Sequence, residues 1–107
     1  MSDKIPVQSS SGNVFADLGI KNPEEYLAKS ELAAQIQKII HRRKFTQVEA
    51  GRLMGISQPN VSDLLRGRLD AFATDRLLLF IIRLGYNVRI KVTKARAKAP
   101  AHMEVVA

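Results

Sequence analysis

Between Thr46 and Gly67 the chain reads TQVEAGRLMGISQPNVSDLLRG, and the start and stop signals in this stretch leave room for two short helices joined by a tight turn. Thr46 and Glu49 stand at capping-box spacing. The hydroxyl can accept from the Glu49 amide while the carboxylate reaches back to the Thr46 amide. Gly51 falls in mid-helix, where glycine costs roughly 1 kcal/mol relative to alanine, so its expected use is to let a second helix approach closely. Gly55 ends the first helix, Ser57 caps the next, and Pro59 lies in the first turn, where its missing amide hydrogen breaks no intrahelical bond. Val61, Leu64 and Leu65 form an inward stripe at spacings of three and four, leaving Gln58, Pro59, Asn60, Ser62 and Asp63 outside. Gly67 ends this second helix. The pair, with side-chain amides at the exposed start of its second helix, suits the major groove of DNA.

The same caps also suit a plain αα-hairpin in a scaffold, since fold alone does not give function. A scaffold, however, has no need of amides from Gln58 and Asn60 at that turn. Upstream, Asn22-Pro23-Glu24-Glu25 combines a cap, a first-turn proline and two carboxylates facing the positive end of a helix dipole. A helix is predicted from Pro23 to about Arg43, with Leu32, Ile36, Ile39 and Ile40 on its core face and Arg42, Arg43 and Lys44 at its negative end. The residues allow one helix here, or two with a break near Lys29 and a new cap at Ser30. Downstream, Asp70 to Phe72 is predicted as a short helix, and Thr74 followed by Asp75 as the cap of another running to Leu84 and Gly85. Leu77, Leu78, Phe80, Ile81 and Leu84 cover much of that last helix, as expected of one buried centrally or under a partner.

From Val88 to Thr93 the period changes to strict apolar–polar alternation, the pattern of a half-buried strand. A lone strand leaves its backbone donors and acceptors unpaired, so the expected partner is a second copy of itself through Val88, Ile90 and Val92. Two segments lack usable periodicity and are expected to be flexible: the start of the chain, rich in serine and glycine, and the basic tail 94–107.

The 107 residues fit one domain, and 46% apolar content excludes global disorder. The net charge of +7 is carried by the region from residue 30 onward, and residues 1–29 are slightly acidic. Such a balance suits a polyanion. Without cysteine there are no disulfides, thiolate metal sites or cysteine nucleophiles. The apolar run Leu77 to Ile82 is far short of a membrane span and no signal core opens the chain, so cytoplasmic residence is expected. His41 and His102 lie far apart, and no phosphate loop or nucleophile elbow appears, so no catalytic residue, metal site or cofactor is expected. His41, beside Arg42 and Arg43, reads as a surface or backbone-contacting residue rather than a ligand. Aromatic content of 6% gives few stacking platforms for unpaired bases, which disfavours RNA.

Thr46, Gln47, Glu49, Gly51, Met54, Gly55, Ile56, Ser57, Gln58, Val61 and Ser62 together resemble the Cro/phage-repressor (XRE-like) class of helix-turn-helix regulators. The resemblance implies a mainly α fold with a five-helix domain over about residues 30–85; with the segments read above, the chain divides into a mostly flexible stretch 1–22, a helical DNA-binding domain 23–85, a C-terminal β-strand within 86–93 pairing across a dimer, and a flexible basic tail 94–107. The resemblance also implies that Gln58, Pro59, Asn60 and Asp63 face bases. Gln58 and Asn60 would pair with adenine, the Pro59 ring would meet a thymine methyl, and Asp63 would accept from cytosine or water. Gln47 and Ser57 would bond phosphate, with Arg66, Arg68, Arg43 and Lys44 supplying charge near the backbone. Ala50, Asp63 and Leu65 depart from the usual pattern, so operator sequence does not transfer.

Three flanking segments, NVFADLG at 13–19, EEYLAKSELA at 24–33 and LGYNVRIKV at 84–92, resemble small antitoxin-type XRE proteins encoded beside ribosome-dependent RNase toxins. That resemblance implies a homodimer that binds a palindromic operator, represses its own operon and masks a small basic RNase-type toxin. The acidic residues Asp17, Glu24 and Glu25 are the candidate toxin contacts.

Overall fold

A first-turn proline followed by Glu24 and Glu25 opens the longest helix, α1, Pro23–Arg43. The computed structural model describes residues 22–106, so the flexible segment expected at the start of the chain and the candidate toxin contact Asp17 lie outside the described residues. Lys29 and Ser30 sit within unbroken helix, which decides between the two alternatives in favour of one. Asn22 does not cap in the expected way. It adopts a left-handed backbone (φ 55°) and makes no side-chain cap bond, while its carbonyl accepts from the Tyr26 amide at 3.1 Å. Lys44, also left-handed (φ 57°), ends the helix by donating its amide to the His41 carbonyl.

Three shorter helices follow: α2 (Gln47–Met54), α3 (Gln58–Leu65) and α4 (Thr74–Arg83). Among the described residues there are thus four helices and no strand. The short helix expected at Asp70–Phe72 is a single turn, closed by the Phe72 amide on the Leu69 carbonyl at 3.0 Å. Leu69 and Phe72 are both buried there, and the two residues between these anchored side chains cannot propagate a helix. Thr74 is the first residue of α4 rather than its cap. That place is taken by Ala73, and the Thr74 hydroxyl is buried without a hydrogen-bond partner.

One core runs through all four helices. Leu32, Ile36, Ile39 and Ile40 of α1 meet Ala50 and Met54 of α2, Val61 and Leu64 of α3, and Leu77, Phe80 and Ile81 of α4. Phe72 and Phe80 pack edge to face, with ring centroids 5.9 Å apart, and the Arg76 guanidinium lies over both rings. The face of α4 away from this core is not covered: Leu79 and Ile82 remain 40% and 54% exposed. No described helix is long and apolar enough to cross a membrane.

The segment Val88–Thr93 forms no strand within the chain, which corrects the expected C-terminal strand at the level of one protomer. A ladder needs a neighbouring strand, and the described residues supply none. Val88 packs against the core, whereas Ile90 and Val92 are 75% and 91% exposed. The tail then returns. Val105 packs against the core and its amide donates to Glu31 Oε1 of α1 at 3.3 Å, so the tail is anchored near its end.

Candidate nucleic-acid interface

The site is built from the turn between α2 and α3. The capping box at the start of α2 is formed in both directions: the Glu49 amide donates to Thr46 Oγ1 (3.1 Å) and the Thr46 amide to Glu49 Oε1 (2.7 Å). Hydrogen bonds from the Thr46 amide and then its hydroxyl, helped by the charge of Arg52, hold the Glu49 carboxyl below its ordinary value. Gly51 has the use expected of it. A Cβ there would lie 2.6 Å from the Ile56 carbonyl oxygen and 3.2 Å from Val61 Cγ2, so the α2–α3 turn can close only over a bare backbone. Gly55 follows in the left-handed region (φ 80°). Arg83, from α4, donates to the Met54 carbonyl at 2.9 Å and so occupies one of the acceptors at the end of α2.

Ser57 caps α3 by accepting from the Asn60 amide at 3.4 Å, and Pro59 sits in the first turn. Val61 and Leu64 are buried and Leu65 partly so, which fixes the rotation of α3 about its axis. Gln58, Pro59 and Asn60 consequently stand exposed at its N-terminal end. Gln58 is held in place: its side-chain amide donates to the side-chain oxygen of Gln47, the first residue of α2.

Asp63 lies one turn further along and is half-exposed. Its carboxylate stands 3.7 Å from the Arg68 guanidinium, and its carbonyl accepts from the Arg68 amide at 2.9 Å. The structure therefore joins an expected base-facing residue to an expected phosphate-facing one. Arg66, at the C-terminal end of α3, is exposed. Arg43 closes α1 with its guanidinium 5.2 Å from the centre of the Phe45 ring, next to the exposed Lys44. Val88, Ile90 and Val92 lie in the segment that follows α4, apart from this turn in the chain.

Sequence reasoning missed a groove of about 490 Å³ beside the turn, lined by Gln37, Lys38 and His41 of α1 together with Phe45, Gln47 and Leu65. The signal available was the i, i+3 spacing of Lys38 and His41, which puts both on one face of α1. Among the described residues no cluster of His, Asp or Glu could hold a metal ion.

Residues 14–93 match the model of a family described as a helix-turn-helix domain. The fold is similar to a solved structure assigned to the XRE family of transcriptional regulators. That match has a TM-score of 0.76 and 34% identity, and covers 81% of this chain and 99% of the other. No curated protein matches the sequence.

Proposed function

This chain belongs to the XRE family of helix-turn-helix transcriptional regulators, and we propose that it is a dimeric, sequence-specific DNA-binding repressor of its own operon. The observation that carries this reading is the first turn of α3, where Gln58, Pro59 and Asn60 are exposed and Gln58 is braced by Gln47. A helix start of this kind enters the major groove with its amides toward base edges. Gln47 and Ser57 then contact phosphate, and Arg43, Lys44, Arg66 and Arg68 surround the duplex backbone with charge. Asp63, drawn toward Arg68, excludes some sites rather than selecting one.

Two half-sites require two protomers. The segment 88–93 supplies the pairing edge, with Ile90 and Val92, open in one chain, covered by the same segment of a second copy about a twofold axis. The recognition helices then stand one turn of DNA apart, ~34 Å. Selection of binding sites from a random duplex library tests the central reading: a palindromic consensus is expected, and recovery of no consensus would leave the fold as an interaction scaffold.

A second activity, masking of a small basic RNase-type toxin, is favoured by the antitoxin-like flanks. Glu24 and Glu25 are exposed at the start of α1, away in sequence from the base-facing turn. Co-expression with the product of an adjacent small gene, scored by co-purification and relief of growth arrest, tests it. Rescue that survives removal of residues 1–22 together with Glu24→Gln and Glu25→Gln would move the contact elsewhere on the helical domain, and no rescue by the intact chain would leave a plain repressor.

A further inference from the structure

The groove beside Gln47 is not accounted for by the base-facing turn. Its floor is apolar, from Ile40, Phe45 and Leu65, while its polar lining consists of Gln37, Lys38, His41 and Gln47. Every one of these four can donate a hydrogen bond, and no carboxylate lines the groove. The charged groups around His41 are all basic. Lys38 precedes it by one turn on α1, and Arg42, Arg43 and Lys44 follow it. From α2 and α3 the groove receives only the uncharged Gln47 and Leu65.

Gln47 links the groove to the base-facing turn, because the same side chain accepts from Gln58. With Gln58 at a base edge and Gln47 at a phosphate, the sugar–phosphate backbone comes to the side of the groove that Gln47 lines. We propose that the groove seats one phosphodiester of the bound duplex, with Lys38 and protonated His41 donating to its oxygens, so that DNA affinity is pH-dependent through His41. The inference rests on the DNA-binding reading above and adds to it a site on α1, outside the two motif helices. The sign follows from linkage: a phosphate favours the protonated imidazole, so binding takes up a proton at His41 and weakens as pH rises through the histidine range.

The test uses the full chain and two fluorescent probes, a duplex enriched from a random library by the intact protein and a random-sequence duplex of the same length. Anisotropy titrations are run from about pH 5.5 to about pH 8, where an ordinary histidine changes charge, at fixed ionic strength. The intact protein is expected to lose on the order of 3- to 10-fold in affinity over that range, and His41→Gln, which keeps a donor but cannot titrate, to lose much less. His102→Gln, altering the other histidine, is expected to behave like the intact protein. Lys38→Ala is expected to make the slope of log affinity against log salt shallower by ~0.9, the value for one phosphate. Both α1 positions are exposed, so the variants are expected to fold, and thermal melts matching the intact protein's check this.

The histidine Cε1–H resonance, followed by NMR, supplies a second readout: its titration midpoint should rise for His41 when duplex is added. If His41→Gln keeps the intact protein's pH dependence, or Lys38→Ala its salt slope, the phosphate seat is overturned while the DNA-binding reading stands. If inorganic phosphate occupies the groove at low millimolar concentration and neither variant alters duplex binding, the groove is a small-anion site and the proposal also fails. Absence of any salt-dependent duplex binding by the intact chain would overturn both readings together.

Discussion

The side-chain amide of Gln58 donates to the side-chain oxygen of Gln47, joining the first residue of α3 to the first residue of α2. The bond is directional in a useful way. It uses one of the two Gln58 N–H donors, leaving the other and the carbonyl oxygen to form a bidentate pair with adenine, and it leaves both Gln47 N–H groups for phosphate. Gln58→Ala is therefore expected to cost ~1–3 kcal/mol on the preferred site and little on random DNA. Gln47→Ala should weaken both and narrow the difference between them, and the double variant should show non-additive losses. Equal losses on the two DNAs for Gln58→Ala would sink the base-reading role.

The pairing of Asp63 with Arg68 leads to opposite expectations for the two residues. Arg68→Ala should weaken specific and random binding alike, because a phosphate contact carries no sequence information. Asp63→Asn removes a repulsive charge and releases Arg68, so affinity for random duplex should rise and the salt dependence steepen. Electrophoretic or anisotropy titrations at several salt concentrations check both. A fall in random-duplex affinity for Asp63→Asn would contradict the excluding role.

Ile90 and Val92 offer a clean test of dimerisation, since neither touches the protomer core, whereas Val88 and Val105 pack against it. The double change Ile90→Lys, Val92→Lys should leave the thermal melt of the helical domain nearly unchanged at low concentration. It should reduce the sedimenting species to a monomer and abolish tight binding to a two-half-site duplex. An intact chain that is already monomeric at high micromolar concentration would rule out the interface.

Gly51 predicts a loss that helix propensity alone would not. Valine is the better helix former of the two, yet its Cβ would be driven against the Ile56 carbonyl and the Val61 side chain. Overpacking against backbone should dominate, with Gly51→Val destabilising by on the order of 2–3 kcal/mol. Urea unfolding should show a lower midpoint at unchanged slope.

The capping box predicts an acid-sensitive contribution. The folded-state carboxyl of Glu49 titrates below its ordinary value of 4.5, so its stabilising bond to the Thr46 amide is fully present above that pH. It is lost as pH falls through the lower folded value. The difference in melting temperature between the intact chain and Glu49→Ala should be constant near neutrality and shrink below about pH 4.5. A difference that persists unchanged under acid would mean that Glu49 acts through its length rather than its charge. Thr46→Ala, which removes the other half of the box, should cost ~1 kcal/mol at neutral pH.

The parts of the fold legible in the residues were those governed by neighbours within a turn. The Thr46–Glu49 box, the Ser57 cap, the proline in the first turn of α3, the glycine at the α2 stop and the inward stripe of Val61 and Leu64 are all local, and spacing specifies them. Local rules also failed where two of them competed. Asn22 and Thr74 had the chemistry of caps, but Asn22 holds the cap position in a left-handed backbone without a side-chain cap bond, and Thr74 lies one residue inside α4 with its hydroxyl buried. At Asp70–Phe72 a helix yielded to a turn because Leu69 and Phe72 were both drawn into the core.

The sequence by itself determined the two motif helices, their turn and the side chains that α3 presents. Tertiary structure decided what those side chains can reach, since the deciding contacts join residues far apart in the chain. Gln47 meets Gln58 across the turn, Arg83 closes the end of α2 at Met54, Lys29 reaches the Leu69 carbonyl, and Val105 comes back to Glu31. The groove joining Lys38 and His41 to Gln47 and Leu65 arises in the same way, from the packing of α1 against the motif. Periodicity reports which face of an element is apolar. It carries no information on which distant polar group will lie opposite, because that depends on how several buried faces fit one core at once.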